Sequence, residues 1–437
     1  MRILFAVHQF FPLCYTGTER LVLNLCKQMQ KMGHRVKVLT YAISETEGFV
    51  EKCGVLMKEY DYQGVPVISI RHKKIPDLVN FSIFDDDLTA IMDDIISREP
   101  YDVIHVCHSM RIGEVIRSAR KKSIPVVLTL TDFWLMCPKG IATKQNGSLC
   151  EGSNDGLKCM TECYPGDSWK TKIIERFQQT KEIFSYASSV VSATRFLKMM
   201  FENQGYLDDI AIIRFGKDFR YIRKKEKKYL PDSKITIGYL SSLNPHKGAH
   251  ILLKAFMQVN PENIRIQIYG DPSASPHYFE ILQNISKGHP HIEFCGGYHY
   301  EEMPEIFEEI DMIAVPSVWW ENSPLVLLRA MAHNVPAIVS DLGGLTEIVT
   351  NGHDSFTFKV DDSGLETGTS TDLSEIIKKI DRNPQILNEL KANITSPPRI
   401  EEEAFEYECL YSGIISSQSI VSTEIQHTSS TKQSDRV

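Results

Sequence analysis

The chain reads as α/β: two parallel-sheet halves facing a central cleft. Two observations carry that expectation. Short apolar runs of strand length alternate with helical apolar periodicity along both halves of the 437 residues. The alternation breaks once, in a polar, charged stretch at 216–233 that reads as a linker.

The elements follow in order. Ile3 to Val7 is a buried strand, and Glu19 to Met32 a helix with Leu21, Val22, Leu25, Cys26 and Met29 on one face. Gly33 stops that helix, and Val36 to Tyr41 is the next strand. Val103–Val106, Val126–Leu128, Ser189–Val191 and Ile210–Ile213 complete a first domain, 1–215. A second series starts with strand Ile235–Tyr239 and helix Gly248–Val259. Strands Ile264–Tyr269, His291–Phe294 and Asp311–Val315 continue it, in a domain assigned to 234–395. A closing helix is expected over 396–411. The Ser/Thr/Gln-rich stretch 412–437 reads as a disordered tail.

Composition narrows the class. Apolar content of 42% and charge of 24% are ordinary for a globular protein, and a net charge of −8 argues against a broad nucleic-acid surface. No apolar run approaches the length of a membrane span. The N-terminus reads as a first strand, not a secretory signal. Ten cysteines without an export signal point to reduced thiols and a cytoplasmic location. The basic run Arg223-Lys224-Lys225-Glu226-Lys227-Lys228 reads either as a solvated loop or as a peripheral contact with anionic lipid at the inner membrane face.

Chemistry concentrates in the second domain. Val315 to Glu347 runs strand, loop, helix, strand, with Glu321 in the loop. In parallel sheets, ligands bind beyond the carboxyl ends of strands, at helix starts. A carboxylate beside free helix amides suits a ligand that mixes hydroxyls with phosphate. Trp319-Trp320 next to it are costly on a plain surface. Gly238 to Gly248 is a second strand–loop–helix start, where Lys247 adds a point charge to the amides and dipole.

These motifs resemble the retaining family-4 glycosyltransferases of the "glycosyl transferases group 1" type, which have the GT-B fold of two Rossmann-like domains. Pro316, Ser317, Glu321, Leu325, Ala330-Met331-Ala332 and Pro336 match the donor-binding signature. Lys247-Gly248 matches the diphosphate loop, with Ser241-Ser242 where many members carry an Arg. Gly17-Thr18 resembles the Gly-Gly loop that approaches the donor phosphates, Thr18 replacing the second glycine. Gly33-His34-Arg35-Val36, Asp102–His105, Thr129 to Pro138, Phe215-Gly216-Lys217-Asp218 and 401–411 also resemble family segments. Phe215–Asp218 is similar to an Asn-Gly-Ile-Asp motif.

The resemblance implies roles. Glu321 holds donor-sugar hydroxyls, and the backbone from Asn322, Ser323, Pro324 and Leu325 takes the sugar and distal phosphate. Lys247 stabilises the leaving diphosphate. The family's second glutamate, which holds the ribose, is replaced here by Arg329. Arg329 pairs with a phosphate or donor carboxylate, pairs with Glu321, or points away. The acceptor side holds Asp132, Thr131 (where the family has a His contacting the sugar), His105 and His108. The implied reaction transfers a sugar from a nucleotide diphosphate sugar to a glycan, lipid-linked or polysaccharide acceptor, with retention and no obligatory metal. The departures at Arg329, Thr131 and Thr18 leave a second reading: a catalytically impaired sugar-nucleotide or glycan-binding subunit. A third reading, an NAD-dependent enzyme on a Rossmann fold, is weak, since Phe11-Pro12-Leu13 stands where a Gly-x-Gly-x-x-Gly would follow the first strand.

Cys137, Cys150, Cys159 and Cys163 crowd a glycine-rich loop, with gaps of twelve, eight and three residues. Four thiolates could hold a structural zinc; the alternatives are reduced cysteines or one disulfide.

Overall fold

The computed structural model describes residues 1–14, 16–360 and 369–434, with side chains to 417. The first domain holds a nine-stranded sheet. Its strands are β1 (Arg2–Val7), β2 (Arg35–Tyr41), β3 (Val50–Lys52), β4 (Val55–Tyr62), β5 (Val65–Arg71), β6 (Val103–Val106), β7 (Val126–Leu130), β8 (Ser189–Ser192) and β9 (Ala211–Ile212). Their order is β3-β4-β5-β2-β1-β6-β7-β8-β9. Only β4 runs against the others. The β3–β5 ribbon was not foreseen. It widens the sheet beyond β2, and Val55, Met57, Ile68 and Ile70 join the core.

The second sheet is all parallel: β10 (Ile235–Leu240), β11 (Ile264–Tyr269), β12 (Ile292–Gly296), β13 (Met312–Val315), β14 (Ala337–Ser340) and β15 (Phe356–Phe358), ordered β12-β11-β10-β13-β14-β15. These strands are apolar runs rather than alternating ones because helices cover both faces. Connections leave β10 in opposite directions at its two neighbours, β11 and β13. The crevice at that switch point is where a ligand fits.

Four helices position the site: α1 (Gly17–Lys31), α2 (Ala249–Val259), α3 (Leu325–Ala332) and α4 (Ile400–Ser434). The apolar face read for α1 is buried. The crossing helix α4 packs Ala404, Tyr407 and Tyr411 into the core that holds Ile3, Phe5 and Val7 of β1. Its backbone is helical to Ser434, over a stretch expected to be a disordered tail from 412; positions 435–437 lie outside the described residues. After Gly413 no glycine or proline interrupts the chain before Ser434, so nothing local stops the helix.

The linker lies against the second domain. Lys225 and Lys227 each stand 2.9 Å from Asp311 Oδ1, and Arg223 stands 2.9 Å from Glu308. Three of the run's five cations therefore face protein carboxylates. Among the described residues, no helix is long and apolar enough to cross a membrane.

Candidate active site

The loop from β10 to α2 and the loop from β13 to α3 meet at the switch point. Gly248 makes the meeting fit. Its φ is +74°, and a Cβ there would come within 1.7 Å of the Pro316 carbonyl oxygen. Val318 donates its amide to the His246 carbonyl at 2.9 Å, which ties the two loops together.

That contact brings Lys247 Nζ to 2.8 Å from Glu321 Oε1. The same oxygen accepts from Ser317 Oγ at 2.6 Å and from Trp319 Nε1 at 2.7 Å. Trp319 also lays its ring 4.5 Å from the Lys247 ammonium. Glu321 is only 5% exposed. Burial pushes its carboxyl up, but Lys247 and the two further donors outweigh it and hold the group below the ordinary range. Oε1 is saturated, whereas Oε2 has no protein donor among the described residues. The crevice beside it is lined by Tyr239, Ser241, Lys247, Ser317, Pro324 and Val326.

Glu321 is fixed from behind as well. Its carbonyl accepts the Gly344 amide at 2.7 Å. Gly343 has a φ of +62°, and a Cβ there would lie 2.4 Å from the same carbonyl. Asn322 bridges to the first domain. Its Oδ1 accepts from Thr194 Oγ1 at 2.7 Å, and its Nδ2 donates to the Thr131 carbonyl at 3.2 Å. Ser323 and Pro324 follow, and α3 starts at Leu325 with Pro324 as its cap. Leu327 N donates to the Pro324 carbonyl at 3.1 Å, which leaves the amides of Leu325 and Val326 free of intrahelical partners. The tip of α2 offers less than expected, because His250 N donates to Tyr278 Oη and Ile251 N to the Gly248 carbonyl. Ser242 lies beyond the crevice, where its Oγ accepts from Asn244.

Gly17 and Thr18 open α1 opposite α3. A Cβ on Gly17 would sit 3.7 Å from Leu325 Cδ1. Thr18 lies in helical backbone, so its β-branch raises no conflict with a positive φ. Arg329 is 4% exposed and does not pair with Glu321. Its guanidinium sits 4.2 Å from the Tyr300 ring centroid.

On the first domain, Asp132 Oδ2 is 3.1 Å from His108 Nε2. Met110 N donates to His108 Nδ1, so the ring's proton is on Nε2, facing Asp132. The His8 ring lies tilted against His108, centroids 4.1 Å apart, and reaches 3.8 Å from the fully buried Glu19. Burial, then His108 and Arg111, lower the His8 pKa well below the usual imidazole range. His8 was not singled out from the sequence, and Glu19 was read only as part of the helix start; a His directly after the first strand was the available signal. Thr131 turns its hydroxyl to the Cys107 carbonyl, and only its backbone reaches the second domain.

Two expectations are corrected. His105 does not line the cleft. It is 0% exposed, and its ring bonds Tyr411 Oη at 2.6 Å and Thr129 Oγ1 at 2.7 Å beneath α4. Burial pushes it down to about 3, so it stays neutral. The apolar strand VIHV alternates faces, and His105 falls on the face that α4 covers. Nor is a zinc centre at the four cysteines supported. All are free, and among the described residues the one group of three ligand atoms within 4.8 Å is His72, Asp85 and Asp87. The loop is held otherwise. Gln204 Oε1 accepts from Ser153 N, and Trp320 Nε1 donates to the Cys150 carbonyl at 3.0 Å. Cys137 and Cys159 are buried as small apolar groups.

Two family models account for the two domains: "Glycosyltransferase Family 4" matches residues 15–216 and "Glycosyl transferases group 1" matches 234–369. The chain belongs to the family-4, group 1 glycosyltransferases. It is similar to a D-inositol 3-phosphate glycosyltransferase of Corynebacterium urealyticum, 23% identical over 362 residues and 77% of each chain. A namesake from Stackebrandtia nassauensis is 26% identical over 167 residues, covering 36% of this chain and 37% of that one. The chain thus spans little more than a third of that relative's length. Among solved structures, Anabaena Alr3699/HepE in complex with UDP and glucose superposes with a TM-score of 0.65 at 17% identity, covering 94% of this chain and 99% of that one. That likeness shows the fold, which is GT-B.

Proposed function

We propose that this protein transfers a sugar from a nucleotide diphosphate sugar to a glycan, lipid-linked or polysaccharide acceptor, with retention of anomeric configuration. The observation that carries the reading is the loading of Glu321. One oxygen takes three donors, from Lys247, Ser317 and Trp319, and the other is left to accept from a ligand. A carboxylate held that way stays ionised in a nearly dry site and orients hydroxyls without exchanging protons. A nucleotide sugar is the ligand that offers hydroxyls and a diphosphate at one crevice. The Anabaena structure holds UDP and glucose on the same fold, which supports this donor class.

Lys247 stands at the mouth of that crevice. When a diphosphate arrives, its ammonium shares itself between Glu321 and the phosphate oxygens. The charge that grows on the leaving diphosphate meets Lys247 and the amides of Leu325 and Val326, an already oriented environment. The acceptor enters from the first domain, where Asp132, oriented by His108, presents a hydrogen-bond acceptor to a hydroxyl. No protein base is assigned; the departing phosphate takes the acceptor's proton.

A panel of sugar nucleotides assayed for glycosyl transfer tests the reading. Turnover with at least one donor is expected, falling about 10²–10³-fold or more in Glu321→Ala. Donor binding without turnover in the wild type would make the protein a binding subunit instead.

A further inference from the structure

Lys217 and Arg329 are two buried basic groups with no carboxylate in salt-bridge contact. Arg329 is 4% exposed and Lys217 6%. Neither has a carboxylate within 4.0 Å among the described residues. Arg329 Nε is buried with no hydrogen-bond partner. The two lie close enough to repel: burial first, then Arg329, pulls the Lys217 ammonium down to about 7. Glu403 is the acid whose charge acts on Lys217, but it stands outside salt-bridge reach of it. Glu403 is turned to the Gly216 amide at 2.7 Å, and burial pushes its carboxyl up to about 8. A third cation stands beside them, since Arg20 of α1 lies 4.1 Å from the same Tyr300 ring that Arg329 covers.

Leaving a buried guanidinium unpaired is costly, so the arrangement calls for an oxyanion. The place is next to the donor crevice. Val326 lines that crevice, and Arg329 is one turn further along the same face of α3. Both positions also depart from the family pattern, Lys217 standing for Ile and Arg329 for Glu. Two independent departures that put like charges side by side are explained by one shared ligand group.

We propose that Arg329 and Lys217 form an oxyanion site beside the donor crevice, and that it binds a phosphate of the donor's diphosphate. The site makes up for the cation missing at Ser241-Ser242 and replaces ribose recognition by charge recognition. This rests on the donor class proposed above. A carboxylate on the transferred sugar has the same chemistry, and the test separates the two sources.

The test is titration calorimetry of the full chain with UDP, UDP-glucose and UDP-glucuronate, on wild type, Arg329→Met, Arg329→Lys and Lys217→Met, with a thermal melt of each. GDP and ADP extend the panel. The expected result is UDP binding weakened at least tenfold in Arg329→Met and in Lys217→Met, and largely restored in Arg329→Lys. Unchanged UDP binding with a tenfold loss confined to UDP-glucuronate keeps the oxyanion site and assigns it to a sugar carboxylate. Folded Arg329→Met or Lys217→Met that binds all three ligands within twofold of wild type overturns the site and leaves the donor class standing. A wild type that binds no nucleotide overturns both. If Arg329→Met fails to fold, Lys217→Met decides the matter by the same thresholds.

Discussion

Glu321 Oε1 gathers an ammonium, a hydroxyl and an indole N–H, all supplied within a few residues of sequence or by one neighbouring loop. The indole has two tasks, donating to the carboxylate and laying its face on Lys247. Trp319→Phe separates them, because it keeps a ring and removes the donor. A hydrogen bond to a charged group contributes about 1.5–3 kcal/mol. A fall of roughly 10–100-fold in donor kcat/KM is therefore expected, with a melting temperature close to wild type. A variant with unaltered kinetics would show that Ser317 and Lys247 suffice. Glu321 and Lys247 were legible because each sits at a strand–loop–helix boundary. Trp319 and Ser317 were quoted but not given roles, since spacing says nothing about which oxygen a side chain reaches. The roles of His8 and Glu19 were missed for a different reason. They act as a pair with His108 only once β1, α1 and β6 lie side by side.

At the scale of elements, the alternating apolar runs identified most of the parallel strands. In the β3–β5 ribbon, β3 and β4 are half exposed and their polar positions hide the pattern, while β5, buried at six of seven positions, is interrupted by Pro66. His105 was misplaced for want of α4, whose register over the sheet no local pattern reveals. Tyr411 and Tyr407 of α4 meet His105 and Thr129 in one buried network. Tyr411→Phe leaves His105 Nδ1 without its partner, at a cost of about 1–3 kcal/mol. The melting temperature should fall by several degrees while the donor site, on the other domain, keeps its affinity. A shortened chain ending after residue 417 retains Ala404, Tyr407 and Tyr411, so its melting temperature is expected to match the full chain. A large loss in that chain would mean the distal part of α4 carries packing of its own. The cysteine loop teaches the converse lesson. Four thiols close in sequence suggested a metal, but Gln204 and Trp320 already supply the partners that a polar loop needs.

Across the whole molecule, burial of titratable groups sets the response to acid. His105, His250 and His333 are all 0% exposed. Burial holds them at about 3, about 3 and about 4, against an ordinary imidazole near 6.5. The folded state keeps these rings neutral while the unfolded chain takes up protons below about pH 6.5. Their contribution is therefore complete above that pH and lost as the pH falls toward 4 and 3. Each ring that the unfolded chain protonates costs about 1.4 kcal/mol per pH unit. Glu403 opposes them: burial raises it to about 8, so its contribution is complete below about pH 4.5 and lost as the pH rises through 8. One group against three does not reverse the trend. Further down, Glu321 and Asp311, both held below the ordinary carboxylate range, add to the loss as their native partners compete with protonation. The melting temperature should drop steadily from pH 7 to pH 4. His105→Phe should make that slope shallower, since one neutral ring no longer resists a proton. A melting temperature that stays level or climbs on acidification would mean that water reaches these rings in the folded state, and that the core under α4 is looser than its hydrogen bonds imply.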